Sequence, residues 1–534
     1  LHNDKHKAHS ILSLTVQLGK SILLLRTYCT KCFKAPKPLY GDGGRRAKAS
    51  TSIIVFYGLS EMLEVRINEL AEEFGVHRNT IRNWIKAGIL PAQKGPGRRY
   101  LLKWADYVAL CERFGKRPRR LPETAKEEES KKSPYRLLPP STPLYPDPSW
   151  ADICLTCGAC ASACPISGVD GLDPRKVVRM AALGMDEELI NSDWAWKCSL
   201  CAKCEESCPM KVEIVQLICR IRSLRPRDKI PGPLVRGITT CLEKGNNLGI
   251  PKEDFLALLK YLARELAEEC PGFEVPIDVH GARLLVTINS KEPFAEPESL
   301  KYWWKIFYAV KESWTISSEY WEGVNWGFFS GNEEAMRAIV GRLVDNLHRL
   351  NCEALLLPES GHAYLATRLV LEQWFPEALN KFKIYSVFDL LMEYLNKGLL
   401  VLDAKRHPGL TTYHDSCNYG RRSLKILGRG YFEEGRIITQ LCCPDFVDMQ
   451  PNRNGNYCCG AGGGAWSSPY KAERIFHGRI KARQIKETQA KRVIVTCHQC
   501  RDQIKFFLNK EYELGVEVKY LWELVADSLV FDPS

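Results

Sequence analysis

The chain has 534 residues, more than one hydrophobic core spans, so a single-domain protein is excluded and three or more domains are expected. Its 22 cysteines cluster at metal-ligand spacings with no secretory signal before them, which excludes a disulfide-stapled secreted scaffold and points to a reducing, cytoplasmic compartment. The net charge of +12 is uneven: residues 62–120 carry 13 Lys/Arg against six Asp/Glu, leaving +5 for everything else.

Residues 1–61 precede the first methionine, Met62, and read as an upstream translation or a loose tail with no assigned function. The apolar stretch 11–25 contains Lys20 and falls short of the roughly 20 residues that span a bilayer, so attachment to a membrane would go through a partner. Cys29 and Cys32, without further partners, read as an incidental pair.

Residues 67–91, INELAEEFGVHRNTIRNWIKAGILP, predict an amphipathic helix, a turn at Gly75 and a second helix starting at an Asn/Thr cap, and KGPGRRYLL then reads as a wing. This resembles the MerR/excisionase type of winged helix-turn-helix, which implies that Arg78, Asn79, Arg82, Lys94, Arg98 and Arg99 face nucleic acid. A basic helical hairpin is equally able to dock an acidic protein, because phosphate contact alone carries no sequence information. Residues 116–149, rich in Pro and in charge, read as a linker.

Cys154-x2-Cys157-x2-Cys160-x3-Cys164-Pro165 is the run in which three thiolates ligate one [4Fe–4S] cubane and the fourth reaches the other cluster, and Cys198-x2-Cys201-x2-Cys204-x3-Cys208-Pro209 repeats it. The crossed pattern assigns Cys154, Cys157, Cys160 and Cys208 to one cluster and Cys198, Cys201, Cys204 and Cys164 to the other. Structural zinc uses four ligands in two separated pairs and fits two such runs poorly. Helical periodicity between the runs resembles the helical two-cluster ferredoxin domain of succinate-dehydrogenase iron–sulfur subunits and heterodisulfide reductases.

Farther on, HDSCNYGRR, NYCCGAGGGAW and VIVTCHQC bring Cys417, the vicinal Cys458 and Cys459, and Cys497-x2-Cys500. Adjacent cysteines suit one tetrahedral zinc poorly and suit a larger cluster better, with Gly460 and residues 462–464 letting backbone approach the inorganic core. Cys442 and Cys443 read as small buried hydrophobes in an apolar, strand-like stretch, and Cys219, Cys241, Cys270 and Cys352 as isolated residues on apolar helical or strand faces. His362 and His498 are candidates for tuning a cluster, with no catalytic role claimed.

These cysteine motifs resemble the CCG domain of heterodisulfide-reductase-type proteins, closest to D-type subunits and to the K subunit of the membrane complex that accompanies dissimilatory sulfite reductase. The resemblance implies a noncubane four-iron cluster on Cys417, Cys458, Cys459, Cys497 and Cys500 that cleaves a disulfide. The α/β region itself reads as an old duplication, because EALLLPESGHAYLATRL at 353–369 parallels RVIVTCHQCRDQIKFFL at 492–508, and NWGFFSG at 325–331 parallels NYCCGAG at 456–462. Ser290, Gly327, Phe328, Glu359, Ser360, Gly361 and His362 stand where a first ligand set would lie, so only one special cluster is expected.

The expected fold is multidomain α+β: a small winged helix-turn-helix (62–115), a linker (116–149), a mainly helical two-[4Fe–4S] ferredoxin domain (150–230), a helical connector (231–281), a degenerate first CCG half (282–400) and a ligand-bearing second half (401–534). The expected function is a heterodisulfide-reductase-like thiol/disulfide oxidoreductase subunit. Its expected partners are a membrane cytochrome-type or other electron donor, a disulfide-bearing redox protein and DNA, in a hetero-oligomeric complex peripheral to the membrane. Two alternatives are a redox-responsive DNA-binding regulator and the iron–sulfur subunit of a 2-hydroxy-acid (glycolate or lactate) oxidase.

Overall fold

The computed structural model describes residues 62–95, 99–113 and 153–530, in two compact units, 1–122 and 123–534. The tail with Cys29 and Cys32, the linker and Arg98 lie outside the described residues.

In the first unit, β1 (Met62–Val65) pairs antiparallel with β3 (Tyr100–Lys103), which pairs with β2 (Ala92–Lys94). The helices Ile67–Phe74 and Arg78–Lys86 are separated at Gly75, whose φ of 66° closes the first helix. The second helix is capped by His77, whose ring accepts from the Asn79 N–H, rather than by an Asn or Thr. Leu70, Phe74, Ile81, Leu90, Leu102, Tyr107 and Leu110 form the core. Arg78, Asn79, Arg82, Lys94 and Arg99 are exposed.

The second unit begins with short helices around the first cysteines. Pro174–Ala182 shows why they form: Asp173 caps it by accepting from the Lys176 N–H at 2.9 Å, Pro174 opens it, and Val177, Val178 and Ala181 are buried. After the helices Ile214–Leu224, Gly232–Lys244 and Lys252–Ala267 come two parallel sheets. One has the order β5 (Trp314–Thr315), β4 (Leu284–Val286), β6 (Ala354–Leu356), β7 (Lys383–Tyr385); the other runs β10 (Glu517–Tyr520), β9 (Arg492–Val495), β8 (Thr411–Tyr413). The short strands are apolar and largely buried, as parallel strands covered by helices on both faces must be.

The apolar run at Cys442 and Cys443 is not a strand: Cys442 ends the helix Glu433–Cys442, and Cys443, before Pro444, turns extended. Both are fully buried, as small hydrophobes are. Cys270 and Cys352 sit in turns after helices rather than on a helix or strand face. Among the described residues no helix is long and apolar enough to cross a membrane.

Candidate iron–sulfur sites

The two ferredoxin-type runs share a backbone device. Thr156 and Gly158 flank Cys157 with φ of 53° and 85°, and Leu200 and Ala202 flank Cys201 with φ of 52° and 57°. A left-handed residue on either side of the middle cysteine curls each run so that its sulfurs turn inward. Leu200 and Ala202 hold that conformation without being glycine, at a cost of about 1–3 kcal/mol each, the kind of strain that persists where a site requires it. One enclosed cavity is lined by Cys164, Cys198, Cys201 and Cys204 together with Ile166, Trp194, Ile218 and His477. On the other side Cys154 and Cys208 face Cys160, and they join burial in pushing its thiol up to about 11. The structure therefore brings Cys164 to Cys198, Cys201 and Cys204, and Cys208 to Cys154 and Cys160, the pairing across runs that the crossed sets require. The second set is the deeper, with Cys201 buried, whereas Cys157 is exposed beside Leu155, which is 65% exposed.

The five later cysteines lie beyond the carboxyl ends of parallel strands, where α/β sheets open crevices. Cys417 follows β8 and leads into a π-helical turn, Asn418–Arg422; Cys497 follows β9 and opens the short helix His498–Asp502, which continues as a second π turn, Gln503–Leu508. Such turns recur at functional sites. Cys458 and Cys459 arrive on the loop between the helix Glu433–Cys442 and the helix Lys471–His477. All five are at most 4% exposed; Cys417 Sγ lies 4.0 Å from Cys458 Sγ, and Cys459 Sγ lies 3.3 Å from Cys500 Sγ. The Gly460 N–H donates to Cys458 Sγ at 3.3 Å. Hydrogen bonds from Cys458 and Cys500 hold the Cys459 thiol far below its ordinary range.

Several residues around this group had no sequence signal. His414, in the HDSC motif, has a ring nitrogen within 4.8 Å of both Cys459 and Cys500 sulfurs. Lys481, with no exposed surface, donates only to Met449 Sδ at 3.5 Å; burial pushes its ammonium down to about 8, against the pull of Asp415 and the cysteines Cys458, Cys459 and Cys500. His477 lies within 4.8 Å of the sulfurs of both Cys201 and Cys458, which are equally close to each other. The ferredoxin-type cavity and the five-cysteine site are therefore contiguous, with one histidine touching both.

Two buried arginines fasten this junction. Arg222 spends all five guanidinium hydrogens on carbonyls: Ala195 at 3.0 and 2.7 Å, Cys198 at 2.7 Å, Phe329 at 3.0 Å and Gly463 at 2.6 Å. Arg421 donates to the Cys201 carbonyl at 2.9 Å and to those of Asn454 and Asn456 at 2.7 and 2.9 Å. The glycine run also serves the junction: a Cβ on Gly463, at φ 59°, would lie 2.7 Å from the Ser199 carbonyl carbon, and one on Gly460, at φ 96°, 2.6 Å from the Arg474 carbonyl oxygen. Besides any approach to an inorganic core, these glycines let the loop pack closely on the Ser199 and Arg474 backbone and on the Phe329 ring.

The donor chemistry fits iron–sulfur clusters: thiolates only in the crossed sets, an enclosed apolar cavity behind one of them, and a five-thiol group with cations nearby. Family models agree: a helix-turn-helix domain matches residues 65–106, a 4Fe-4S dicluster domain 150–212, and a cysteine-rich CCG domain 411–505. The chain is an iron–sulfur protein that joins a dicluster domain to a CCG domain. It carries two [4Fe–4S] clusters and a CCG domain of the kind typical of a noncubane iron–sulfur site. It is 24% identical over 462 residues to an Hdr-like menaquinol oxidoreductase iron-sulfur subunit 2 of Archaeoglobus fulgidus, covering 71% of this chain and 80% of that one. It is 22% identical over 419 residues to a probable membrane-anchored ferredoxin of Chromohalobacter salexigens, of whose length the match spans 60%. Over 100 residues it is 35% identical to subunit C2 of the H(2)/formate:CoB-CoM heterodisulfide,ferredoxin reductase of Methanococcus maripaludis, covering 18% of this chain and 54% of that one.

Proposed function

We propose that this chain is the iron–sulfur subunit of a hetero-oligomeric oxidoreductase that accepts electrons at its exposed dicluster site and uses them at the CCG site to reduce a disulfide. The observation that carries the reading is the contiguity of the two sites: Cys201 and Cys458, from different modules, lie within 4.8 Å of each other and of His477. Bound iron–sulfur clusters supply one-electron steps, and a disulfide consumes two electrons. Cys154, Cys157, Cys160 and Cys208 hold the outer cluster, where exposed Cys157 and Leu155 offer a donor a short approach. Cys164, Cys198, Cys201 and Cys204 hold the inner one. Cys417, Cys458, Cys459, Cys497 and Cys500 form the catalytic set.

Around that set, Lys481 places positive charge, and His414, whose burial favours the neutral ring, hydrogen-bonding capacity beside thiolates that would otherwise be buried anions, which favours the anionic form. Arg222 and Arg421 hold the Cys198–Cys201 turn against the CCG loops and so fix the spacing across which electrons pass. The donor is a membrane subunit that oxidises a quinol, a role suggested by the menaquinol oxidoreductase named for one relative, and the chain is cytoplasmic and peripheral to the membrane through that subunit. The α/β region is a duplication whose first half has lost its ligands; the presence of two separate parallel sheets, one in each half, supports this. The test is anaerobic: chemically reduced holoprotein, given a disulfide-bearing protein, should release two thiols for every two electrons lost. Oxidation of the protein without thiol release would contradict the reading.

The matched helix-turn-helix domain supports a second reading, DNA binding through the wing-like β2–β3 edge and the helix Arg78–Lys86. The basic residues named above would then contact phosphates. Affinity for a duplex should fall linearly with log salt, and Arg78→Ala with Arg82→Ala should each flatten that slope by about 0.9, the value expected for one lost phosphate contact. Absence of binding at low salt would make the module a protein-docking domain.

A further inference from the structure

Behind the Cys497–Cys500 helix, on the side of the first sheet, three carboxylates are buried that the reading above does not use. Glu322 is 2% exposed, Glu359 0% and Glu292 5%. Glu292 has a cationic partner in reach, His498 Nε2 at 2.9 Å. The other two have none among the described residues. Glu359 receives the Thr287 hydroxyl, 3.1 and 3.0 Å from its two oxygens, and its own backbone N–H, and its carboxyl fills the space where a Cβ on Gly323 would sit. Glu322 accepts from the Asn247 N–H at 2.7 Å and the Trp326 indole at 3.3 Å, with Ser290 and the Cys241 thiol also hydrogen-bonded to it.

Their positions form a line. Asn247 belongs to a partly exposed loop; Glu322 lies under it; Gly323, its neighbour in sequence, touches Glu359. The Glu359 segment is in turn a wall of the CCG site. Its carbonyl accepts the His498 N–H at 3.3 Å, one residue after Cys497, and a Cβ on Gly361 would come within 2.9 Å of the ring of Tyr419, two residues after Cys417.

A buried carboxylate without a cationic partner is costlier than a neutral carboxyl, so burial favours the protonated form of both groups. Burial pushes Glu322 up to about 7 and Glu359 up to about 8. The titratable groups facing Glu359 are Glu292, which raises it further, with His498 and the Tyr419 phenol; Cys241 faces Glu322.

We propose that Glu359 and Glu322 are the proton reservoir of the CCG site, supplying the two protons that disulfide cleavage consumes and refilling from solvent through the Asn247 loop. The balance is one disulfide, two electrons and two protons giving two thiols: the S–S bond breaks, two S–H bonds form, the electrons come from the donor through the dicluster site and the protons leave the two carboxyls. This rests on the disulfide-reducing reading and deepens it. It also gives the first half of the α/β region, where cysteine ligands are missing, a task of its own.

The test uses anaerobic holoprotein, full-length, wild type against Glu359→Gln and Glu322→Gln, which keep size and hydrogen bonding but cannot release a proton. Redox-difference infrared spectra should show a carboxylic-acid carbonyl band that moves in heavy water in the wild type and is lost in part in each variant. Thiol release should fall at least tenfold in Glu359→Gln, with iron content and cluster paramagnetism unchanged. Wild-type thiol release with variants that match it in rate and in spectrum would overturn the reservoir alone. A wild type that shows the Glu359-dependent band but releases no thiol would overturn the disulfide reading and leave a proton-coupled reduction supported. A wild type with neither band nor thiol release would overturn both.

Discussion

Cys459→Ser is expected to lower disulfide reduction on the order of 10³-fold or more, the scale of losing a group that acts on the reacting atoms, while the outer cluster of the dicluster domain stays loaded. Cys459 is the best-placed thiolate of the five. It is 1% exposed, its sulfur is 3.3 Å from that of Cys500, His414 stands within 4.8 Å, and its thiol is the one driven far down by its neighbours. Serine keeps the volume and removes the soft donor. Six of the eight ferredoxin-type cysteines pack with a separate core of Val177, Val178, Leu189, Trp194, Leu217 and Ile218, while Cys201 packs with the CCG cysteines, so the outer cluster should load without Cys459 and the inner one is the more exposed to its loss. The measurement is thiol release per reduced protein, with iron analysis on the same sample. Equal rates for variant and wild type would place the chemistry elsewhere.

The second large effect is expected at Arg222. Its guanidinium is fully buried and ties Ala195 and Cys198 of the dicluster domain to Phe329 and to Gly463 of the CCG loop. Arg222→Met removes the charge at similar length and strands four carbonyls, each costing about 1–3 kcal/mol when buried and unpaired. Loss of a buried charge network of this kind destabilises by about 3–5 kcal/mol, which for a unit of this size lowers the melting temperature by roughly 5 °C. The functional consequence is separable. The dicluster site should still accept electrons from a chemical reductant, but onward reduction of a disulfide should slow because the Cys198–Cys201 turn is no longer pinned to Gly463. Arg222→Lys, which keeps the charge and loses the five-donor fork, should fall between wild type and Met. Thermal melts with stopped-flow reoxidation by disulfide check this; an Arg222→Met protein as stable and as fast as wild type would contradict it.

How much of this was legible in the sequence follows from the range of each interaction. The ferredoxin-type cysteines announce themselves because their spacing is local, and the same holds for the helix-turn-helix, whose amphipathic period and Gly75 break lie within one short stretch. The left-handed turns of the second run were hidden, since Leu200 and Ala202 do not look like residues of positive φ. The junction was hidden for another reason: Arg222 and Gly463 are 241 residues apart, and a lone arginine on an apolar helix carries no mark of four distant carbonyls. The glycine run was visible but its contacts with Ser199, Phe329 and Arg474 were not, because a requirement for close approach does not say what approaches. Cys442 and Cys443 were read in a strand because a short apolar stretch looks alike in a strand and in a buried helix end; Pro444 was the cue to the boundary.

The buried glutamates show the same limit. Glu359 stands out in sequence only as the residue where a cysteine is missing, and nothing local reveals that Thr287 and Gly323 enclose it while Glu322 lies one residue away from that contact. Its meaning depends on three segments meeting at the ends of parallel strands.

The central claim is that the CCG cysteines hold a third iron–sulfur centre that takes part in disulfide chemistry, beside the two clusters of the dicluster domain. Iron analysis with electron paramagnetic resonance on anaerobically purified protein, reduced and then oxidised in the presence of thiol, tests it most directly when wild type is compared with Cys459→Ser. The account predicts about 12 iron per chain in the wild type, from three four-iron clusters, and a paramagnetic signal that appears on oxidation with thiol and vanishes in the variant. About 8 iron and no such signal would contradict it, leaving a two-cluster electron carrier with an unmetallated group of buried thiols.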